Sequence, residues 1–391
     1  MVYLRWAAAA TAALYTAGYA AAGFGLLFFG ALWSLLARRS FPWWRSALDL
    51  PLAAFAAVLV ASALASPFRP LAAGVTLMLV ISGAVYFGSF AWLLAHDPGA
   101  RAVLLRAWAL GAVPAAGAAL AIGVLTHARS QIPGGVGPNG LGTTLVLAGI
   151  LQLGLASRAR GWERWCWLAG ALLGLGGLVA TASRASLVGW AAGAAYLAWR
   201  ELRTRPVRLA VVLAAGGAAL VLAGFLAPPL MGRLRTTASD VSQNRIVIWR
   251  TSLGMVAARP LLGSGFGTFG TAYDQVKRPQ ASPEPFAFDL ALNLAVETGL
   301  LGLLAAVWVA VAAAREWRRC RAAAESDPFR AVVPALWAGL LVDQLADNTL
   351  FSIGTSAALW LLLALLAVPP ARGGPRAEPP PVAAGAARAA S

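Results

Sequence analysis

The chain has 391 residues, of which 60% are hydrophobic and only 12% charged, with a mean hydropathy of +0.72. Soluble domains run near a quarter charged, so the composition excludes a protein whose main solvent is water. The net charge of +16 is almost entirely arginine, with Lys277 the only lysine. So uniform a bias does not by itself identify an anionic partner; no nucleic acid is expected, and each arginine has to be read by its position.

Apolar stretches of about 17 to 25 residues, each able to cross ~30 Å of hydrocarbon as a helix, follow one another along the chain. The first, at 6–36, reads as a hairpin of two short helices broken near Gly23 and Gly25, or as one long helix. It lacks a small-residue cleavage pattern and exceeds the h-region of a signal peptide, so it is expected to stay in the mature protein. Further spans are predicted at 50–66, 71–94, 107–126, 140–156, 165–182, 185–199, 209–231, 290–314, 331–350 and 351–368. Lipid offers backbone groups no partner outside helices or closed barrels, so the expected fold is an all-α polytopic membrane bundle of roughly 11–12 transmembrane helices. Residues 1–371 then form a single transmembrane domain. The tail at 372–391, Pro, Ala and Arg with nothing to pack, is expected to be disordered and cytoplasmic.

Arginine asymmetry orients the bundle. Arg38, Arg39 and Arg45 share one loop, and Arg101 with Arg106 the next but one. Alternate loops continue with Arg158, Arg160 and Arg164, then Arg200, Arg203, Arg205 and Arg208, then Arg315, Arg318, Arg319 and Arg321. All fall on one side, which the positive-inside rule makes cytoplasmic. The opposite side holds Arg69, Arg129, Arg184 and the long segment 232–289, whose arginines do not count because long loops translocate regardless of charge. Both termini are cytoplasmic with twelve helices, and only the N-terminus moves with eleven. Cys166 and Cys320 lie near inner ends of spans and imply no disulfide framework. His96 and His127 do not make a metal site, and no cofactor is expected.

The residues able to do chemistry collect at the outer face. The turn at 132–141, Ile-Pro-Gly-Gly-Val-Gly-Pro-Asn-Gly-Leu, opens a span where Asn139 can bond the free N–H groups of the helix start, or serve as a simple capping turn. Thr181-Ala-Ser-Arg184 joins two spans with almost no loop and sets Arg184 at the membrane boundary, as a functional ion or as an arginine snorkelling to lipid phosphates. In the long outer segment, residues 244–256 read as a short amphipathic helix on the interface, with Arg245, Trp249 and Ser252 or Leu253 on one face, Ser242 as cap and Arg259-Pro260 as its end. The following Gly263-Ser-Gly-Phe-Gly267 offers either a backbone anion nest or a flexible connector. Glu297, Asp343 and Asp347 lie within predicted spans, where an uncompensated carboxylate costs roughly 2.5–3.5 kcal/mol. Arg184 and Arg245 are on the same side as partners, so the expectation is a charged cavity open to the outside, with a structural ion-pair network as the alternative. Such a cavity suits a lipid-borne pyrophosphate, because guanidinium forks bind phosphate oxygens bidentately and neutralise charge that grows as the pyrophosphate leaves.

In this order the motifs resemble the O-antigen ligase and O-antigen polymerase superfamily of bacterial inner-membrane glycosyltransferases. The matching pieces are Gly137-Pro-Asn-Gly-Leu141, Thr181-Ala-Ser-Arg-Ala185, Arg245 with Trp249, Arg259-Pro-Leu-Leu-Gly-Ser-Gly-Phe-Gly267, Val296-Glu-Thr-Gly-Leu-Leu-Gly302 and Asp347-Asn348, within residues 134–351. The resemblance implies transfer of a glycan from an undecaprenyl-pyrophosphate carrier to a sugar hydroxyl of lipid A core, of another carrier-linked glycan, or of a protein. It puts Arg184 and Arg245 on the donor pyrophosphate as catalytic and binding groups, with Asn139, Trp249, Arg250 and Asp347 as further substrate-binding candidates. The other partners implied are the glycan or lipid-linked acceptor, membrane lipids and a chain-length regulator. The family's presumed base is a histidine just before the Glu-Thr-Gly motif; this chain has Phe288-Asp289 there. Asp289 is therefore the catalytic base expected here, base-free transfer and a member with altered chemistry or none being the alternatives, and the missing histidine favours a polymerase over a ligase.

A different class of reading is an ion-coupled transporter or flippase using Asp343, Asp347 and Glu297. The clustering of polar groups at one face, away from the midplane where transporter sites lie, argues against it.

Overall fold

The structure, a computed structural model, describes residues 2–16, 20–38, 43–126, 129–131, 137–202, 238–278, 284–320, 332–351 and 353–368. Among these every regular element is a helix, as the apolar runs predict. In chain order they are α1 (Val2–Thr16), α2 (Ala20–Arg38), α3 (Asp49–Ala65), α4 (Arg69–His96), α5 (Ala100–Thr126), α6 (Pro138–Arg158), α7 (Gly161–Thr181) and α8 (Arg184–Leu202). There follow α9 (Ala238–Ala258), α10 (Phe269–Val276), α11 (Leu290–Cys320), α12 (Val332–Gln344) and α13 (Ile353–Ala367). Five of them, α4 to α7 and α11, are long and apolar enough to cross a membrane; α2, α3, α12 and α13 are shorter apolar helices. The predicted span at 209–231, residues 132–136 of the outer turn, His127 and the tail at 372–391 lie outside the described residues.

The helices alternate in direction, so their ends sort into two layers. Arg5 pairs with Asp97 at 3.2 Å and Arg106 with Glu163 at 3.3 Å, while Arg101 Nη2 donates 2.9 Å to the Val368 carbonyl beyond α13. These contacts gather at one end of the bundle with the arginine-rich loops. Buried residues from α1 to α13, Trp108, Phe87, Phe90 and Leu141 among them, join in one apolar core between the layers.

Three boundaries differ from expectation. The first span is two helices, one of the two readings, but α1 ends at Thr16 and α2 begins at Ala20, so Gly23 lies inside α2. There Thr11 Oγ1 donates 2.8 Å to the Gly23 carbonyl, and a Cβ on Gly23 would come within 3.2 Å of the Thr11 Cα. The glycine serves close helix approach, the usual work of small residues in membrane bundles. The interfacial helix α9 begins at Ala238, so Ser242 lies within it and does not cap it; its inward face carries Ile248 and Ser252 while Leu253 is exposed. The expected span 331–350 stops at Gln344, which leaves Asp347 in the non-helical segment before α13.

The largest departure is inside α11, where Gly299 adopts φ 66° and ψ −171° and interrupts the helix. Backbone groups freed within a membrane must find partners. Residues 260–265 supply them: Leu300 N–H donates to the Pro260 carbonyl (2.8 Å) and Leu301 N–H to Leu261 (3.3 Å), while Ser264 and Gly265 N–H groups donate to the Val296 and Glu297 carbonyls (2.9 and 2.8 Å). Ser62 Oγ of α3 donates to the Leu262 and Glu297 carbonyls at 2.7 and 2.9 Å, and Ser66 Oγ to the Ser264 carbonyl. The Gly-rich run is thus neither a free connector nor an open loop; it splices α9 into the break of α11.

Candidate active site

At the end opposite the arginine-rich loops, the start of α6, the α7–α8 joint, the segment after α12 and the interfacial helix α9 converge. The α7–α8 joint reverses through Ala182, held left-handed at φ 52°, and Arg184 opens α8 with its side chain exposed. Ser183 Oγ meets Ser186 Oγ at 2.9 Å.

Pro138 opens α6, as a residue lacking an N–H does without loss. Asn139 does not cap this helix, contrary to expectation. Its Oδ1 accepts from Arg129 Nη2 at 2.8 Å, and its side chain lies close enough to Asp347 to interact with it. The Arg129 Nε donates 3.0 Å to the Thr181 carbonyl at the end of α7.

The acids do not find the partners expected of them. Asp343, fully buried, accepts from Thr143 Oγ1 (2.6 Å), Ser186 Oγ (2.9 Å) and Gln344 Nε2 (2.9 Å), groups of α6, α8 and α12. Glu297 accepts the Phe269 N–H at 3.0 Å, and Gly267 N–H and Asn293 complete its shell. The anion nest read in residues 263–267 therefore exists in part, but its anion is the chain's own Glu297 at the N-terminus of α10. Neutral donors satisfy both acids, and neither pairs with Arg184 or Arg245 among the described residues.

Asp347 is the acid that does face the arginines. It is 1% exposed, accepts the Asn348 N–H at 2.8 Å, and interacts electrostatically with Arg245. Arg245 is half-buried on α9 with its Cζ 5.2 Å from the centre of the Phe288 ring, a cation–π geometry. Burial pushes its guanidinium pKa below the ordinary value; Asp347 opposes that shift and the like charge of Arg184 adds to it.

Phe288 is itself left-handed at φ 55°, uncommon for a bulky residue. It packs edge-on against Phe286 at 4.7 Å. The next residue, Asp289, caps α11: its Oδ1 accepts the Leu292 N–H at 2.7 Å. Its Oδ2 has no partner among the described residues. Trp249 is tied by Nε1 to the Ala287 carbonyl at 2.9 Å, which anchors α9 beside the start of α11. Arg250 points to the exposed face of α9, so the fold does not bring it into the cluster.

The fold thus gathers Asn139, Arg184, Arg245 and Asp347, with Asp289 at the edge. Sequence reasoning passed over Arg129, Thr143, Ser186, Gln344 and the role of Phe288. Thr143 lies one helical turn beyond Asn139, the face-sharing interval, and was discoverable; the others meet only through tertiary structure.

Residues 169–307 match the family model described as O-antigen ligase. This stretch contains Arg184, Arg245, Asp289 and Glu297 but neither Asn139 nor Asp347. No match to the chain is found among curated proteins.

Proposed function

From the match of residues 169–307 to the O-antigen ligase family model, which supports the O-antigen ligase and polymerase superfamily, we propose that the chain transfers a glycan from an undecaprenyl-pyrophosphate-linked donor to an acceptor sugar hydroxyl at the periplasmic face. The carrying observation is that Arg184, opening α8, and Arg245, on α9, lie within electrostatic range of each other, and Asp347 within range of Arg245. Two guanidiniums so placed can fork onto both phosphates and take up the negative charge that develops when the anomeric C–O bond breaks. The acceptor oxygen attacks the anomeric carbon from the opposite side, with inversion. Its proton goes to Asp289 Oδ2, the oxygen not engaged in capping. The arginine-rich loops at the other end support a cytoplasmic assignment for that end and a periplasmic one for the site.

The polymerase reading rests on Phe288 standing where the ligases carry histidine, and brings with it a glycan acceptor and a chain-length regulator as partner. The transporter reading loses support from Asp343 and Glu297, whose lone pairs are committed to neutral donors inside the bundle.

The test is transfer by purified protein. Arg184→Ala and Arg245→Ala should each abolish glycan transfer with expression and detergent stability nearly intact, and Lys should rescue poorly because it offers no planar fork. A fully active double Lys variant would show that the two act only as diffuse charge, or not at all.

A further inference from the structure

Arg129 donates to an acceptor at each of the two junctions that carry site groups. The Thr181 carbonyl, 3.0 Å from Nε, is the last of α7; one residue on, the chain reverses at Ala182, and Arg184 follows. A terminal helix carbonyl has no intrahelical donor, and a cation there also suits the helix dipole. Asn139 Oδ1, 2.8 Å from Nη2, belongs to the first turn of α6. With Oδ1 held on a guanidinium that can only donate, the amide NH2 is the end left for Asp347, whose carboxylate can only accept. The flipped amide would set oxygen against oxygen at Asp347. The neighbouring residue fixes the segment from both sides: Ser130 N–H donates to the Ala180 carbonyl at 3.0 Å, and Ser130 Oγ to the Ala119 carbonyl of α5 at 2.6 Å.

We propose that Arg129 is a positioning residue for glycan transfer: one planar fork sets the turn that presents Arg184 and the amide orientation that holds Asp347 against Arg245, without itself touching the donor. The inference rests on the donor-site reading above. A guanidinium suits this work because its two donors keep a fixed angle, whereas a lysine ammonium is a point charge on a flexible stem. The consequence is geometric. Site groups displaced by about 1 Å can cost on the order of 10²-fold in rate while ground-state binding changes far less.

The experiment measures turnover per folded molecule and, separately, binding of undecaprenyl pyrophosphate, for wild type, Arg129→Ala, Arg129→Lys, Asn139→Ala and Arg184→Ala. Arg129→Ala should lower kcat by roughly 10- to 100-fold with nearly unchanged carrier binding, whereas Arg184→Ala should lose binding. Arg129→Lys, which keeps the charge and one bond at a time, should fall between Arg129→Ala and wild type, and it serves as the readable variant if the alanine protein does not fold. The Arg129→Ala, Asn139→Ala double variant should be little worse than the worse single, as expected for residues acting through one contact. Wild-type kcat in both Arg129 variants, with Arg184→Ala inactive, would overturn the proposal and leave the donor site standing. Loss of carrier binding in Arg129→Ala equal to that in Arg184→Ala would also overturn it, by making Arg129 a direct ligand. Full binding and turnover in Arg184→Ala would bring down the donor-site reading and this proposal with it.

Discussion

Replacing Gly299 with alanine should be among the costliest single methyl groups that could be added at the described glycines. The residue sits at φ 66° and ψ −171°, a region essentially open to glycine alone, where an L side chain costs about 1–3 kcal/mol. An added Cβ would also fall inside the Leu261 carbonyl and against the Leu262 nitrogen, backbone atoms that cannot rotate away. Relief requires residues 260–265 to back out of the break, which endangers the hydrogen bonds of Leu300, Leu301, Ser264 and Gly265 across it. At about 0.5–1.5 kcal/mol net per bond, losing two or three of them with the conformational strain gives a destabilisation of about 3–5 kcal/mol. Thermal unfolding in detergent reads it, with Gly254→Ala as control: that glycine lies in α9 with open space around it, and alanine there should stabilise by up to about 1 kcal/mol. Because residues 259–268 link α9 to α10 against α11, the same substitution should displace Arg245 and depress glycan transfer. A Gly299→Ala protein that unfolds with wild type would show that α11 is not broken there, and the splice would have to be abandoned.

Asp289→Asn should lower turnover by roughly 10²- to 10⁴-fold, the usual contribution of a general base, without loss of carrier binding. Because Asn caps helices as well as Asp does, this variant separates proton transfer from the capping bond to Leu292, and Phe288→His should restore part of the rate. Wild-type elongation by Asp289→Asn would leave base-free transfer as the better account. For sidedness, with Cys166 and Cys320 first replaced by serine, cysteines at the exposed positions Gln131 and Gln275 should react with impermeant thiol reagents in intact cells while those at Arg160 and Arg319 should not. The reverse pattern would invert the orientation.

The helical bundle was legible because hydropathy is a one-dimensional signal: apolar runs of membrane length leave the backbone no alternative to helix. Breaks are not one-dimensional. Nothing in Val296-Glu-Thr-Gly-Leu-Leu-Gly302 states that α11 opens at Gly299, because the groups that make the opening tolerable come from residues 260–265. The end of α12 at Gln344 was hidden in the same way: Gln344 Oε1 accepts the Thr349 and Leu350 N–H groups at 3.0 and 3.1 Å, contacts that exist only once the chain has turned. Arg184, Arg245 and Asp347 could be picked out because an ion near a span stands out against its neighbours. Their sorting could not. Sequence alone suggests pairing every acid with an arginine, since opposite charge is the only complementarity visible in a string, whereas Asp343 and Glu297 are satisfied by hydroxyl, amide and backbone donors brought from other parts of the chain.

That sorting decides the electrostatics of the site. Had Asp343 and Glu297 joined the arginines, the cluster would be neutralised from within and an incoming pyrophosphate would have to displace existing pairs. With both acids committed elsewhere among the described residues, Asp347 acts on Arg245 alone of the two donor-site arginines, and Arg184 adds like charge to it. Burial first, and the like charge of Arg184 second, push the Arg245 pKa down, while Asp347 opposes them. An anion entering between Arg184 and Arg245 relieves the repulsion and gives each guanidinium a partner in a half-buried setting, where charge-assisted bonds are stronger than in water. The neutral shells around two buried acids are therefore what leaves Arg184 and Arg245 available to the lipid-pyrophosphate donor proposed above.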